Sequence, residues 1–300
     1  MSDQMKAATG SRIINITGFS MTLKLGLIGA GIFKSKMPLL QEYLAQLTGI
    51  SLTYELFDGE GDEHFEPITQ LQQLKEQGYA GANVTHPYKQ QVHRFVTSSL
   101  VPGHEHIGSY NTVKFVDGLP CGANTDYTGL IRGYRYRLGE QSPGNVLLCG
   151  AGGVGRATAF ALEALGVGKL GVFDINSMQA SNLVTTLQSH GVAAELVTSA
   201  GFADYARDVD GLVNCTALGM YCYPGSAFPA QVIGAQQWAF DAVYTPLHTE
   251  FLIQCERAGM ICLTGFDLWL FQGVDAFHHF AGVDVDVESS LVETALSWLD

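Results

Sequence analysis

Hydrophobic and polar positions alternate between two rhythms along this chain. Short apolar runs such as LKLGLIG at 23–29 and SLTYELFD at 51–58 have the length of strands and lead into polar or glycine-bearing turns. Between and after them lie stretches with apolar residues three and four apart. PLLQEYLAQLTG at 38–49 predicts a helix with Pro38 in its first turn and Gly49 at its end. ITQLQQLKEQG at 68–78 predicts another, with Leu71 and Leu74 on one face. YAGANVT predicts a strand, and PYKQQVHRFV at 87–96 a helix whose first turn carries Lys89. SYNTVKFVDGLPCGANTD predicts a hairpin turning at Asp117–Gly118. A second series starts near residue 144. NVLLCG, LGVFD, AAELV, GLVNC, WAFDAVY and MICLTG read as strands, and the tail FDLWLFQGVDAFHHFAG and DVESSLVETALSWLD as two helices. This alternation gives an α/β class with parallel sheets.

Two glycine-rich connections stand out. In CGAGGVGRATAF, Gly150, Gly152 and Gly155 fall in G-x-G-x-x-G register, with Gly153 extra, between a strand and a helix that starts at once. The three glycines serve a tight turn, close approach to a pyrophosphate and close helix–strand packing. The helix N-terminus can face phosphate. Asp174 closes the next strand, where its carboxylate could accept from ribose hydroxyls. No Lys or Arg lies in DINSMQASN at 174–182 to neutralise a 2′-phosphate, so the pattern favours NAD over NADP. The upstream loop in LGLIGAGIFKSKMP has Gly29 and Gly31, but its third position is Lys34, and its helix cannot begin until about Pro38. Asp58 ends the following strand as Asp174 does. Lys34, Ser35 and Lys36 offer a hydroxyl and cations suited to a small anionic substrate.

Composition narrows the partners. The 300 residues carry a net charge of −13, which disfavours nucleic acid and anionic membranes. The acids of FDGEGDEHFEP read as a solvated loop. Six cysteines without a CxxC pair point to a reduced cytoplasmic protein with no disulfide and no zinc site. No apolar run reaches membrane-spanning length. Residues 1–21 lack the apolar core of a signal peptide and are expected to be a loosely ordered leader, with Met21 as an alternative start.

A polar cluster gathers at strand ends: Asn83, Thr85 and Lys89 around one strand-to-helix turn, Asn111 in SYNT, and Asp126 in GANTD. Any one of the Asn, Thr or Asp residues alone would read as a cap or turn. Lys89 is different, because a cation at a helix N-terminus is electrostatically disfavoured and calls for a reason. The pairs His104/His106 and His278/His279 lack metal-ligand spacing and read as surface residues, while His86 lies beside the cluster.

With these motifs in order, the chain resembles the shikimate/quinate dehydrogenases. GAGIFKSKMP, NVTHPYK, SYNT, GANTD, GAGGVGRA, NCTALGM, DAVYTP and GFDLWLFQ carry the resemblance from about residue 25 to 280. It implies reversible hydride transfer between NAD and a ring hydroxyl of shikimate or quinate, with Lys89 and Asp126 as the catalytic pair. Which of the two takes the proton is left open by the sequence, and such a pair is expected to exchange protons as a unit. Substrate would meet Ser35, Asn83, Thr85, Asn111, Tyr244 and Gln272. Cofactor would meet Gly150, Gly152, Gly153, Val154, Gly155, Asp174, Cys215, Thr216, Ala217, Val243, Gly265 and Leu268, and no metal is needed. Residues 22–129 and 266–300 would form a substrate-binding domain, and 130–265 a Rossmann domain. One departure concerns the substrate: where the family usually has a second hydroxyl residue before the proline, this chain has Met37. An aminoshikimate or other modified substrate is therefore an alternative, and a non-catalytic NAD-binding regulator is one from another class. The sequence leaves the oligomeric state open, a homodimer included.

Overall fold

The computed structural model describes residues 22–299, so the leader expected at 1–21 lies outside the described residues. The first sheet grows from β1 (Leu23–Gly29), which pairs in parallel with β2 (Leu52–Asp58) on one side and β3 (Gly81–Val84) on the other. A hairpin of β5 (Thr112–Val116) and β6 (Leu119–Ala123) turns at Asp117 and Gly118, with φ of 50° and 76°. Two successive left-handed residues match the twist of a tight hairpin. The hairpin docks antiparallel on β3, and the short β4 (Ser98–Ser99) closes the far edge. The sheet order is β2-β1-β3-β5-β6-β4, so this sheet is mixed rather than parallel as the pattern predicted.

Segment 87–96 also departs from expectation. It forms a series of turns with one short 3₁₀ turn at Val92–Arg94, not an α-helix. Tyr88 and Val92 are both buried at the four-residue spacing of a helix, which is what the pattern detected. The Lys89 carbonyl, however, accepts the Tyr110 N–H at 3.2 Å and so leaves the helical ladder. Lys89 therefore does not sit at a helix N-terminus.

The second sheet is wholly parallel. It contains β7 (Asn145–Cys149), β8 (Lys169–Phe173), β9 (Ala194–Leu196), β10 (Gly211–Asn214), β11 (Trp238–Asp241) and β12 (Ile261–Leu263) in the order β12-β11-β10-β7-β8-β9. The chain reverses its direction of strand addition between β7 and β10, which opens a crevice at their carboxyl ends.

Helices cover both faces of each sheet. α1 (Met37–Thr48), α8 (Gly265–Ala281) and α9 (Ser289–Leu296) bury Leu25, Leu27, Leu40, Leu44, Phe266 and Phe277 on one face of the first sheet. α2 (Pro67–Glu76) covers the other through Leu71 and Leu74 against Ile28 and Val113. On the second sheet, α3 (Thr125–Leu138), α4 (Gly153–Ala164) and α5 (Ser177–Ser189) pack over Val146 and Leu148. α6 (Phe202–Arg207) and α7 (Glu250–Arg257) pack over Leu147 and Leu212. α3 and α8 lie together between the two sheets, and Arg137 grips Asp267 with Nη2 at 2.8 Å and Nε at 3.1 Å from Oδ1. A Cβ on Gly129 of α3 would approach the Gln272 backbone nitrogen of α8 to 2.6 Å, so the helices meet without an intervening side chain.

Candidate active site

The glycine loop after β7 is built for close approach. Gly150 has φ of 97°, a conformation side chains resist, and a Cβ on Gly155 would stand 1.8 Å from the Gly150 carbonyl oxygen. α4 therefore starts immediately against the strand end. Around Gly152 a Cβ would meet nothing within 4 Å, so that side of the loop is open. No side chain caps the α4 N-terminus, which leaves its first N–H groups, from Gly153 and Val154 onward, available to an anion. Asp174 braces the loop: Oδ2 accepts the Ala151 N–H at 2.7 Å and Oδ1 accepts the Asn176 N–H at 2.8 Å. An open, uncapped helix start beside a fixed carboxylate fits a dinucleotide.

The opposite wall is held by a residue that the sequence did not single out. Asn214, fully buried at the end of β10, accepts the Thr216 N–H at 3.0 Å and hydroxyl at 2.7 Å, and donates to the Leu218 carbonyl at 2.9 Å. It thereby shapes the Cys215–Thr216–Ala217 turn. Its Nδ2 also donates to Asp241 Oδ1 at 2.9 Å, and that oxygen accepts the Val243 N–H at 3.0 Å. Burial pushes the Asp241 carboxyl up to about 6. The sequence signal for Asn214 is a carboxamide ending the apolar run GLVN. Gly265 completes the wall, since a Cβ there would lie 2.5 Å from the Val243 backbone. Leu268 follows it one turn later, buried in α8. Burial pushes the Cys215 thiol up to about 12.

Lys89 and Asp126 meet across the cleft. Lys89 Nζ donates to Asp126 Oδ2 at 2.7 Å, with the two side chains only 12% and 6% exposed. Asp126 rises from the first turn of α3, whose start is capped by Asn124 accepting the Tyr127 N–H at 3.1 Å. The Lys89 stem lies against the glycine loop: a Cβ on Gly153 would be 3.5 Å from Lys89 Cβ. Lys89 and Asp126 are also close enough to act electrostatically on the Cys215 thiol. The Lys89–Asp126 pair thus borders the crevice at the glycine loop.

The remaining residues arrange behind and beside this pair. Asn111 accepts the Thr125 N–H at 2.7 Å through Oδ1 and donates to Thr125 Oγ1 at 2.9 Å and Gln272 Oε1 at 3.2 Å. Three segments distant in sequence therefore converge within one residue of Asp126. Asn83 lies deeper: it accepts the Tyr54 hydroxyl at 2.8 Å and donates to Thr112 Oγ1 at 3.0 Å, with 4% of its surface exposed. Thr85 follows β3 and packs against Gly29, where the upstream loop begins. Ser35 sits in that loop, its Oγ accepting the Met37 N–H at 3.2 Å. The Met37 side chain is buried between α1 and α8, near Gly273. Tyr244 lies nearly parallel to Trp269, with ring centroids 6.3 Å apart, and burial pushes its phenol up.

The histidines differ from expectation. His104 and His106 are wedged rather than free on the surface. His104 meets Tyr127 at 4.7 Å between ring centroids, and His106 meets Phe160 at 4.6 Å. His278 is exposed and pairs with Asp284, and His279 is partly buried. Among the described residues no group of His, Cys, Asp and Glu could hold a metal.

Comparison with known proteins places the chain among described sequences and folds. Residues 27–113 match the family model for the shikimate dehydrogenase substrate binding domain. The chain is 36% identical over 278 residues to a shikimate dehydrogenase (NADP(+)) of Streptomyces avermitilis, covering 90% of this chain and 94% of the relative. It is 35% identical to a quinate/shikimate dehydrogenase (NAD(+)) of Corynebacterium glutamicum, covering 92% and 99%. Among solved structures, a quinate dehydrogenase from Corynebacterium glutamicum in complex with NAD superposes with a TM-score of 0.84 at 34% identity, covering 92% of this chain and 99% of that one. A shikimate 5-dehydrogenase from Thermus thermophilus in complex with NADP(H) and shikimate gives 0.79 at 29% identity, covering 92% and 100%.

Proposed function

The chain belongs to the shikimate/quinate dehydrogenase family, and on that premise we propose that it oxidises, reversibly, one ring hydroxyl of shikimate or quinate with NAD. The observation that carries this reading is the 2.7 Å Lys89–Asp126 contact beside Gly153 of the glycine loop. Oxidation of a carbinol releases a hydride from carbon and a proton from oxygen. Bound NAD would supply the hydride acceptor. The Lys89–Asp126 pair takes the proton from the hydroxyl and returns it in the reverse reaction. Asn111 and Gln272 are oriented by Thr125 to meet other ring oxygens, and Ser35, Thr85 and Tyr244 frame the remaining sides. Asn83, which accepts from Tyr54 and donates to Thr112, stands with Asn111 on the substrate side.

NAD is favoured over NADP by Asp174, whose carboxylate would repel a 2′-phosphate, and by the lack of Lys or Arg through residue 182. The glycine loop and the turns at 215–217 and 243 would cradle the dinucleotide. Residues 22–129 with 266–300 serve as the substrate half and 130–265 as the dinucleotide half, although α3 runs unbroken through residue 129. We assign the enzyme to the cytoplasm on its cysteine usage. No described helix is long and apolar enough to cross a membrane.

Replacing Lys89→Ala tests the site. Turnover with shikimate or quinate should fall by about 10²–10⁴-fold, the usual share of a positioned acid–base group, while NADH binding measured by fluorescence stays intact. Retained turnover would remove Lys89 from the mechanism.

A further inference from the structure

Arg156 stands in the first turn of α4, where the helix dipole disfavours a cation. Its guanidinium does not turn toward the glycine loop. Nε donates to the Ile107 carbonyl and Nη2 to the His106 carbonyl at 3.3 Å. Both acceptors belong to the corner at residues 104–108, which precedes β5 and belongs to the substrate half. Among the described residues no carboxylate pairs with Arg156, so its charge is directed at main-chain oxygens. The corner is shaped to receive it. Gly108 has φ of 68°, and a Cβ there would come 3.2 Å from Arg156 Nε. Around this contact, the His106 ring packs on Phe160 of α4 and stands 4.9 Å from the His190 ring at the end of α5. His104 packs on Tyr127 of α3.

The same corner leads directly to both members of the proton-handling pair. Ser109 follows it, and Asn124, the cap of α3, donates to the Ser109 carbonyl at 2.8 Å and hydroxyl at 3.0 Å. Asp126 stands two residues beyond that cap. Tyr110 is next, and its N–H holds the Lys89 carbonyl at 3.2 Å. Shifting the corner against α4 would move Lys89 and Asp126 together, relative to the loop that borders the dinucleotide.

We propose that Arg156 is a positioning residue for hydride transfer: it clamps the corner at 104–108 to α4 and so sets the distance between bound substrate and nicotinamide. The proposal rests on the reading of Lys89 and Asp126 as the acid–base pair. It differs from a role in pyrophosphate binding, because the guanidinium is engaged on the substrate half.

Arg156→Lys keeps the cation but cannot present two donors in a fixed fork. Arg156→Gln is a second variant that keeps a donor and drops the charge. Each would be assayed in the whole protein beside Lys89→Ala. A misplacement on the order of 1 Å can cost about 10²-fold, so kcat should fall by roughly 10–10²-fold, with NADH affinity by fluorescence unchanged. The deuterium isotope effect with NADH labelled at C4 should rise as hydride transfer becomes rate-limiting. A merely structural role would lower the unfolding midpoint and leave that isotope effect alone. Loss of NADH affinity in step with kcat would overturn the proposal, as would wild-type kcat and isotope effect in both variants. If Lys89→Ala kept turnover, the active-site reading itself would fail; if only the Arg156 variants behaved as wild type, the clamp alone would.

Discussion

The two glycine loops, after β1 and after β7, look alike until their third position. In each, the acid that ends the neighbouring strand braces the loop. Asp58 accepts the Gly31 and Ile32 N–H groups, both at 2.8 Å, much as Asp174 accepts that of Ala151. What differs is the start of the helix. Gly155 lets α4 begin against the strand end, because its missing Cβ would otherwise strike the Gly150 carbonyl. Upstream, Lys34 occupies that place and α1 waits until Met37, which leaves a longer loop with Ser35 and two lysines at its rim. A strand-end acid therefore marks a braced loop in both places. The third glycine, by bringing uncapped N–H groups to the crevice, makes the difference.

The largest expected effect tests that point. Gly155→Ala should abolish NADH binding, because a contact of 1.8 Å to backbone leaves α4 no place to start. Gly31→Ala should leave NADH affinity unchanged. It should cost only about 1–2 kcal/mol of stability for a side chain at φ of 70°, readable by urea unfolding. Equal losses of NADH binding would erase the distinction between the loops.

The paired acids give the next contrast. Asp174→Ala should weaken NAD by about 10–10²-fold, the equivalent of 1.5–3 kcal/mol for hydrogen bonds to a charged acceptor, with less effect on NADP. Asp58→Ala should leave both affinities alone and lower stability. An NAD/NADP preference unchanged in Asp174→Ala would count against the cofactor assignment.

The smallest effect concerns pH. Burial raises the Asp58 carboxyl, but the N–H groups of Glu60, Gly31, Ile32 and Phe33 outweigh it and hold the group below its ordinary 3.8. A depressed carboxyl stabilises the fold above its unfolded value and loses that contribution as pH falls through the lower folded value. The gap in unfolding midpoint between wild type and Asp58→Ala should therefore be constant above about pH 5 and shrink on acidification below about pH 4. A gap independent of pH would mean that the carboxylate does not brace the loop.

Much of this was legible in the chain because strand and helix rhythms are strong and the glycine spacing has a steric meaning. The hairpin at Asp117–Gly118, the second sheet and the Lys89–Asp126 pair all followed from local patterns or motif order. Segment 87–96 misled, since Tyr88 and Val92 have helical spacing, yet a long-range bond from Tyr110 takes the Lys89 carbonyl. Asn214 and Arg156 were passed over for a related reason. The Arg156 acceptors lie about 50 residues away, and Asn214 joins its local turn to Asp241, 27 residues on, links that no local window contains. Met37 reads as a lost hydroxyl in sequence, but its side chain serves the packing of α1 on α8.

The pairing of α3 with α8 has a consequence for anyone recombining relatives of this enzyme. The cluster around Asn111 is not one continuous stretch of chain, because Gln272 returns to it from beyond β12. A chimera that exchanges the chain between α3 and α8 must be spliced at two seams, one after Arg137 and one ahead of Gly265. Both ends of the Arg137–Asp267 grip must then come from the same parent.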